Sequence, residues 1–288
     1  MAIQWYPGHM HKANKEIRLI MPKTDLIIEV LDARIPYSSE NPQVNQLRGD
    51  KPCIKLLNKS DLADPVITRQ WIDYFQTERN IKARAVSREQ PEQIKQILQL
   101  CRQFFPDRNL TTRPIQVLIM GIPNVGKSSI INILSGRTIA KVGNEPAVTK
   151  AQQKIILDNG IHLMDTPGFL WPKIHNENTG YRLAITGAIK NTAMEYDDVA
   201  LYAADYFLNA YPELLMQRYQ LKTLPKNDMD ALESIGRKRG CLLAGGKVNL
   251  HKASELLLNE FRSKLLGAIS LETPEMAQTE MAAMKNKH

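Results

Sequence analysis

GIPNVGKSS occupies residues 121–129. It follows the apolar run IQVLIM (residues 115–120) and leads into IINILSG (residues 130–136). The first run has strand length, and the second carries apolar side chains at helical spacing. Gly121, Gly126, Lys127 and Ser128 fit G-x-x-x-x-G-K-[ST] in the strand–loop–helix setting that pattern requires. The glycines let backbone amides wrap phosphate oxygens, and the helix N-terminus adds partial positive charge. In this reading Asn124, Val125, Gly126 and Ser129 line the phosphate cradle. Lys127 reaches the β- and γ-phosphates, and the Ser128 hydroxyl ligates Mg²⁺.

Working outward, DTPG (residues 165–168) ends a second apolar run, IHLM. Asp165 at a strand end can hold Mg²⁺ through water, and the Gly168 amide can bond the γ-phosphate and sense its loss. Between the two motifs lies the polar stretch RTIAKVGNEPAVTK (residues 137–150), in which Thr149 is the expected switch threonine closing over Mg²⁺.

NKSD (residues 58–61) follows the strand-like CIKLL. Asp61 can accept two protons from the guanine edge that adenine does not offer. Asn58 would bind the O6 and N7 edge or brace the loop, and the Lys59 stem can lie across the base. The usual backup loop is Ser-Ala; here its place is taken by VSRE (residues 86–89), so Ser87 and Arg88 are the expected contacts.

The order of these parts is unusual. In an ordinary GTPase the phosphate loop precedes the base-reading loop; here base loop and backup loop come first. Cutting an ordinary chain after its second switch and joining its old ends produces this order without changing the sheet. Such permutation is tolerated where termini lie close together at a surface. The proline-bounded PDRNLTTRP (residues 106–114) reads as the joining linker. The cut places FLWPKIHNENTGYRLAITGAIK (residues 169–190), just after the γ-phosphate sensor, directly before the C-terminal part of the chain.

Around these motifs, strand-like and helix-like runs alternate up to about residue 189, which predicts an α/β domain with a mostly parallel sheet. After it, MEYDDVALYAADYFLNAY, DMDALESIGRKRG and NLHKASELLLNEFRSKLLG all read as helices. The expected organisation is a permuted Ras-like GTPase domain (residues 1–189) and a smaller all-α domain (residues 190–288). The aromatics of LYAADYF are expected in its core.

Lys plus Arg number 38 and Asp plus Glu 30, a net +8 that favours anionic partners. The helical part is not basic overall: from residue 190 onward both totals are 13. Its positive charge is local, at Arg237, Lys238, Arg239, Lys247 and Lys252 around AGGK, where glycines let backbone approach phosphate. Cys53, Cys101 and Cys241 show no CxxC spacing and are expected as buried free thiols of a cytoplasmic monomer. No apolar run approaches membrane-spanning length, so no membrane partner is expected.

WYPGHM, DARIPYSSENP, NKSDL, GIPNVGKSS, VTK, DTPG and the late RGCLLAGGKVNLHKASELLL run from residue 5 to past residue 258. With them the chain resembles the ribosome biogenesis GTPase A family of circularly permuted GTPases. The resemblance implies GTP hydrolysis in maturation of the large ribosomal subunit and its precursor, with the helical domain touching ribosomal RNA. Many GTPases orient the attacking water with a glutamine after the DxxG glycine; Phe169 stands there and cannot. The resemblance points instead to His9, whose neighbours Pro7 and Gly8 suggest a loop able to swing. It also matches Asn124 to the asparagine that helps hold K⁺ in potassium-activated relatives. Two other readings compete: an RNA-binding protein with a structural, barely hydrolysing GTP site, and a P-loop kinase or ATPase with a fortuitous NKSD.

Overall fold

In the computed structural model the described residues are 8–139, 153–157, 160–189 and 195–285, with side chains from residue 14 onward. Six strands form one sheet: β1 (Leu26–Asp32), β2 (Cys53–Asn58), β3 (Ile81–Ala85), β4 (Ile115–Met120), β5 (Gln153–Leu157) and β6 (Ile161–Asp165). Their order is β3-β2-β1-β4-β6-β5, all neighbours parallel except the β5–β6 pair. β1 and β2 are buried along their whole length, as strands covered by helices on both faces must be. Edge strand β5 alternates towards exposure instead.

Before the phosphate-loop strand come α1 (Gly8–Ile20), α2 (Pro36–Ser39), α3 (Pro42–Arg48), α4 (Pro65–Gln76), α5 (Pro91–Lys95) and α6 (Ile97–Gln103). After it come α7 (Lys127–Ser135), α8 (Glu177–Ile185), α9 (Tyr196–Ala210), α10 (Pro212–Tyr219), α11 (Asp228–Lys238), α12 (Leu250–Arg262) and α13 (Pro274–Lys285). Helices α9, α11 and α12 pack pairwise on one another. One apolar cluster runs from the sheet through α8 into these helices, joining Ile119, Ile185, Phe207 and Ile235. The expected boundary at residues 189–190 falls beside residues 190–194, outside the described set.

The chain then doubles back. Past α12, Ile269 N donates to Leu62 O (3.0 Å) and Leu271 N to Arg34 O (2.8 Å). Trp71 Nε1 donates to Glu272 O (3.1 Å), and α13 packs on α4. A buried ionic hub fixes this return. Arg182 of α8 lies 3.1 Å from Glu272 and forms a forked pair with Glu280 (3.0 and 2.8 Å), while Ser38 donates its amide to Glu272 (2.8 Å).

The stretch 106–114 is stitched down as well. Arg108 pairs with Asp25 (2.7 Å) at the start of β1, and Leu110 lies against Gly160, where an added Cβ would meet it at 2.6 Å. The helical run before the linker is two helices, α5 and α6, interrupted at Gln96. His9 falls on α1, where a loop was expected: helical spacing continues back through Gly8, directly after Pro7. All three cysteines are free and buried, and no helix among the described residues is long and apolar enough to cross a membrane.

Candidate guanine nucleotide site

Strands β1, β2, β4 and β6 run parallel, so their carboxyl ends meet at one edge of the sheet, where ligands of open α/β sheets bind. Register sets the neighbours there: Asp32 opposite Asn58 and Ile119 opposite Asp165. The base loop, phosphate loop and DTPG therefore converge although 107 positions separate residues 58 and 165 in the chain.

The phosphate loop is shaped for close backbone approach. Gly126 is the N-cap of α7 with φ +92°, and Asn124 also lies in the left-handed region at φ +61°. Helices α3, α4, α8, α11 and α12 each have their first amides bonded by an Asn or Asp side chain. Helix α7 has no such cap, which leaves its N-terminal amides for an anion. A Cβ on Gly126 would meet Asn58 Nδ2 at 2.3 Å. That amide donates to Val125 O (2.6 Å), so Asn58 braces the phosphate loop, one of the two roles its sequence position allowed.

Lys127 is buried at the first turn of α7, with Ser128 and Ser129 half-buried beside it. Burial pushes the Lys127 ammonium down, and Asp165 opposes this only in part. Burial pushes the Asp165 carboxyl up, partly offset by Lys127 and the Thr166 amide. Both Asp165 oxygens are buried without a hydrogen bond of ordinary geometry to any described residue. A desolvated carboxylate within charge range of the phosphate-loop lysine fits a site for a hard, oxygen-seeking cation such as Mg²⁺. Gly168 packs on this loop: an added Cβ would meet Pro123 Cα and N at 3.1 Å. Phe169 is in the core, and its carbonyl accepts from Asn41 Nδ2 (3.4 Å). Thr149 and the side chain of His9 lie outside the described residues.

The base end is tied together by side chains. Asp61 accepts from Ser87 Oγ (2.6 Å), joining NKSD to the backup loop. Ser87 is buried, whereas Arg88 is exposed and pairs with its neighbour Glu89 (3.1 Å). Lys59 donates to Asp32 Oδ2 (2.9 Å), and Asp32 also holds Arg34 through two bonds of 2.9 and 2.7 Å. Burial works to raise the Asp32 carboxyl, but Arg34 and Lys59 outweigh it and hold it well below the usual range. Asp32 and Arg34 were not singled out from sequence as site residues. Their signal is two opposite charges at the end of a mostly apolar strand that also carries Glu29.

Asn124 donates to Gly187 O (2.8 Å), just past α8. From the other side Arg262 of α12 donates to Ile185 O and Ala184 O, both at 2.8 Å. Residues 184–187 thus lie between the phosphate loop and the helical part. Among the cations expected to meet RNA, Arg237, Lys238, Lys247 and Lys252 are exposed. Arg239 is exposed as well, and it also donates to Arg218 O (3.2 Å) and lies over the Tyr219 ring at 5.3 Å.

The comparisons agree with this geometry. Residues 116–235 match the family model described as 50S ribosome-binding GTPase. Ribosome biogenesis GTPase A of Priestia megaterium is 43% identical over 286 residues, covering 96% of this chain and 99% of that protein. Mitochondrial ribosome-associated GTPase 1 of Mus musculus is 32% identical over 293 residues, covering 93% and 90%. The crystal structure of GNP-bound YlqF from T. maritima is 28% identical, with a TM-score of 0.65, covering 92% of this chain and 99% of that one. With a phosphate loop, a base loop and a DTPG turn at one sheet edge, and near full-length identity of this order, the chain belongs to the ribosome biogenesis GTPase A family.

Proposed function

We propose that this protein binds and hydrolyses GTP as an assembly factor for the large ribosomal subunit. Its nucleotide state is coupled to ribosomal RNA binding by the C-terminal helices. The observation that carries the coupling is the clamp on residues 184–187, held by Asn124 of the phosphate loop on one side and Arg262 of α12 on the other.

Each residue has a role in this reading. Asp61 and the Ser87 region read guanine, and Asn58 locks the base loop to the phosphate loop. The amides of residues 124–129 and Lys127 hold the phosphates. Ser128, Asp165 and Thr149 hold Mg²⁺, which when bound supplies positive charge between the phosphate oxygens. Gly168, in contact with Pro123, reports the γ-phosphate to the segment that leads into α8. Because Phe169 is buried and apolar, the water-orienting group comes from elsewhere, and His9 on α1 is assigned to it. Asn124 is assigned to a K⁺ site, and its side-chain amide donates to Gly187 O. The base-first chain order and the stitched linker at residues 106–114 support the permuted arrangement. Arg237, Lys238, Arg239, Lys247 and Lys252 form the cationic face that meets RNA phosphates.

The test is cosedimentation of the full-length protein with immature large subunits in GDP and in a non-hydrolysable GTP analogue. Binding that depends on the γ-phosphate is expected. Equal binding in both, with no turnover of GTP, supports the competing reading of an RNA-binding protein with a structural nucleotide.

A further inference from the structure

Asp32 and Arg34 lie outside the nucleotide motifs, yet they connect the base loop to the far helices. Asp32 Oδ2 is a shared acceptor, taking Arg34 Nη2 at 2.7 Å and Lys59 Nζ at 2.9 Å. Asp32 Oδ1 takes Arg34 Nε at 2.9 Å and the Arg34 amide at 3.1 Å. The far side of the guanidinium lies over the ring of Phe261 in α12, 5.0 Å from its centroid. Phe261 packs in turn on Phe207 of α9, with ring centroids 5.5 Å apart. Asp32, Arg34 and Phe261 are each at most 2% exposed, so these contacts act in a desolvated setting.

We infer that Arg34 is a positioning residue that couples occupancy of the guanine-reading loop to helix α12. This rests on the reading of residues 58–61 as the guanine reader. Lys59 is the part of that loop whose stem would lie along a base, and its ammonium shares one carboxylate oxygen with Arg34. Moving Lys59 changes what Arg34 must supply to Asp32. The guanidinium is a rigid fork gripping Asp32 through two nitrogens, so it cannot reorient without moving relative to Phe261. The base is common to GDP and GTP. This route therefore reports whether a nucleotide is bound, whereas the clamp on residues 184–187 starts from the phosphate loop. The two routes reach consecutive residues of α12, Phe261 and Arg262. Linkage is reciprocal, so whatever binds α12 must alter guanine nucleotide affinity by the same factor.

Hydrogen–deuterium exchange of the full-length protein tests this without any ribosomal particle. Saturating GDP should slow exchange across residues 250–262 by about fivefold or more, and a non-hydrolysable GTP analogue should slow it equally through this route. Phe261→Leu removes the ring and none of the nucleotide contacts. It should bind GDP, measured by a fluorescent analogue, while its α12 response disappears. Arg34→Lys keeps a charge for Asp32 without the fork, and its response should be intermediate. The coupling is overturned if α12 ignores GDP in the wild type, responds to the GTP analogue alone, or responds equally in Phe261→Leu and Arg34→Lys. If the wild type binds no GDP, the guanine site itself fails; if it binds GDP and α12 is silent, only the coupling fails.

Discussion

The base-reading end and the γ-phosphate end of the site sit on the same sheet edge but are built in opposite ways. At the base end the polar groups satisfy one another: Asn58 holds Val125 O, Ser87 holds Asp61, and Asp32 holds Lys59 and Arg34. At the phosphate end Asp165 has both oxygens buried without a hydrogen bond of ordinary geometry to any described residue, Lys127 is buried, and Phe169 occupies the place where a water-orienting amide would stand. Preorganised polar networks give specificity before the ligand arrives. Unsatisfied buried charge stores a demand for the ion and phosphates. The difference supports the proposal that recognition is built within this fold, while chemistry waits on groups brought from outside the cradle.

The largest effect tests what anchors the phosphate end. Arg182→Met leaves Glu272 and Glu280 facing each other without their cation in a buried hub. Removing one partner of a buried pair costs about 3–5 kcal/mol, read from urea unfolding. A cost near zero means the hub does not hold α8 and the returning tail.

Next, Asp61→Asn should weaken GTP by on the order of 3 kcal/mol, from two lost charge-assisted bonds. It should favour xanthosine triphosphate, whose carbonyl replaces the guanine amine. Ser87 can still donate to the new carbonyl, so the fold is kept. Competition binding decides it: unchanged GTP affinity removes NKSD from the role of base reader.

A smaller effect probes the seam between the ends. Gly126→Ala puts a Cβ against Asn58 Nδ2 at a backbone φ of +92°. Strain of about 1–3 kcal/mol should appear as weaker binding of both GDP and GTP. Equal affinity to wild type would show that the Asn58 brace is dispensable.

The extent to which all this is legible in sequence follows the same division. The phosphate loop, NKSD and DTPG are local patterns, each with its strand beside it, so they can be read directly. The runs read as strand-like, CIKLL, IQVLIM and IHLM, are strands β2, β4 and β6. What is not legible depends on tertiary cover. Asp32 and Arg34 gain their meaning only when α12 and residues 269–272 fold over them. Helices α2 and α3 are too short to show a period, and α13 is read only through its packing on α4. Arg239 looks like its neighbours in sequence, and its contacts with Tyr219 and Arg218 appear only in the fold.

The smallest effect is a slope. The Asp165 pKa is raised in the folded protein, so the folded state holds more protons than the unfolded one between the ordinary value and the raised one. Without nucleotide, stability should fall as pH rises through that window. Asp165→Asn should flatten the slope and lose Mg²⁺-dependent nucleotide binding. A slope of the same size in the variant assigns it to other groups.

The central claim is that recognition is complete while chemistry is not. Single-turnover GTP hydrolysis, with and without saturating large ribosomal particles, tests it most directly. The protein alone should bind GTP and hydrolyse it slowly. Particles should speed the step by about 10²–10⁴-fold, the value of a positioned water-activating group. His9→Ala should keep GTP affinity and particle binding and lose most of that gain. Fast hydrolysis by the free protein, or undiminished stimulation in His9→Ala, contradicts the account.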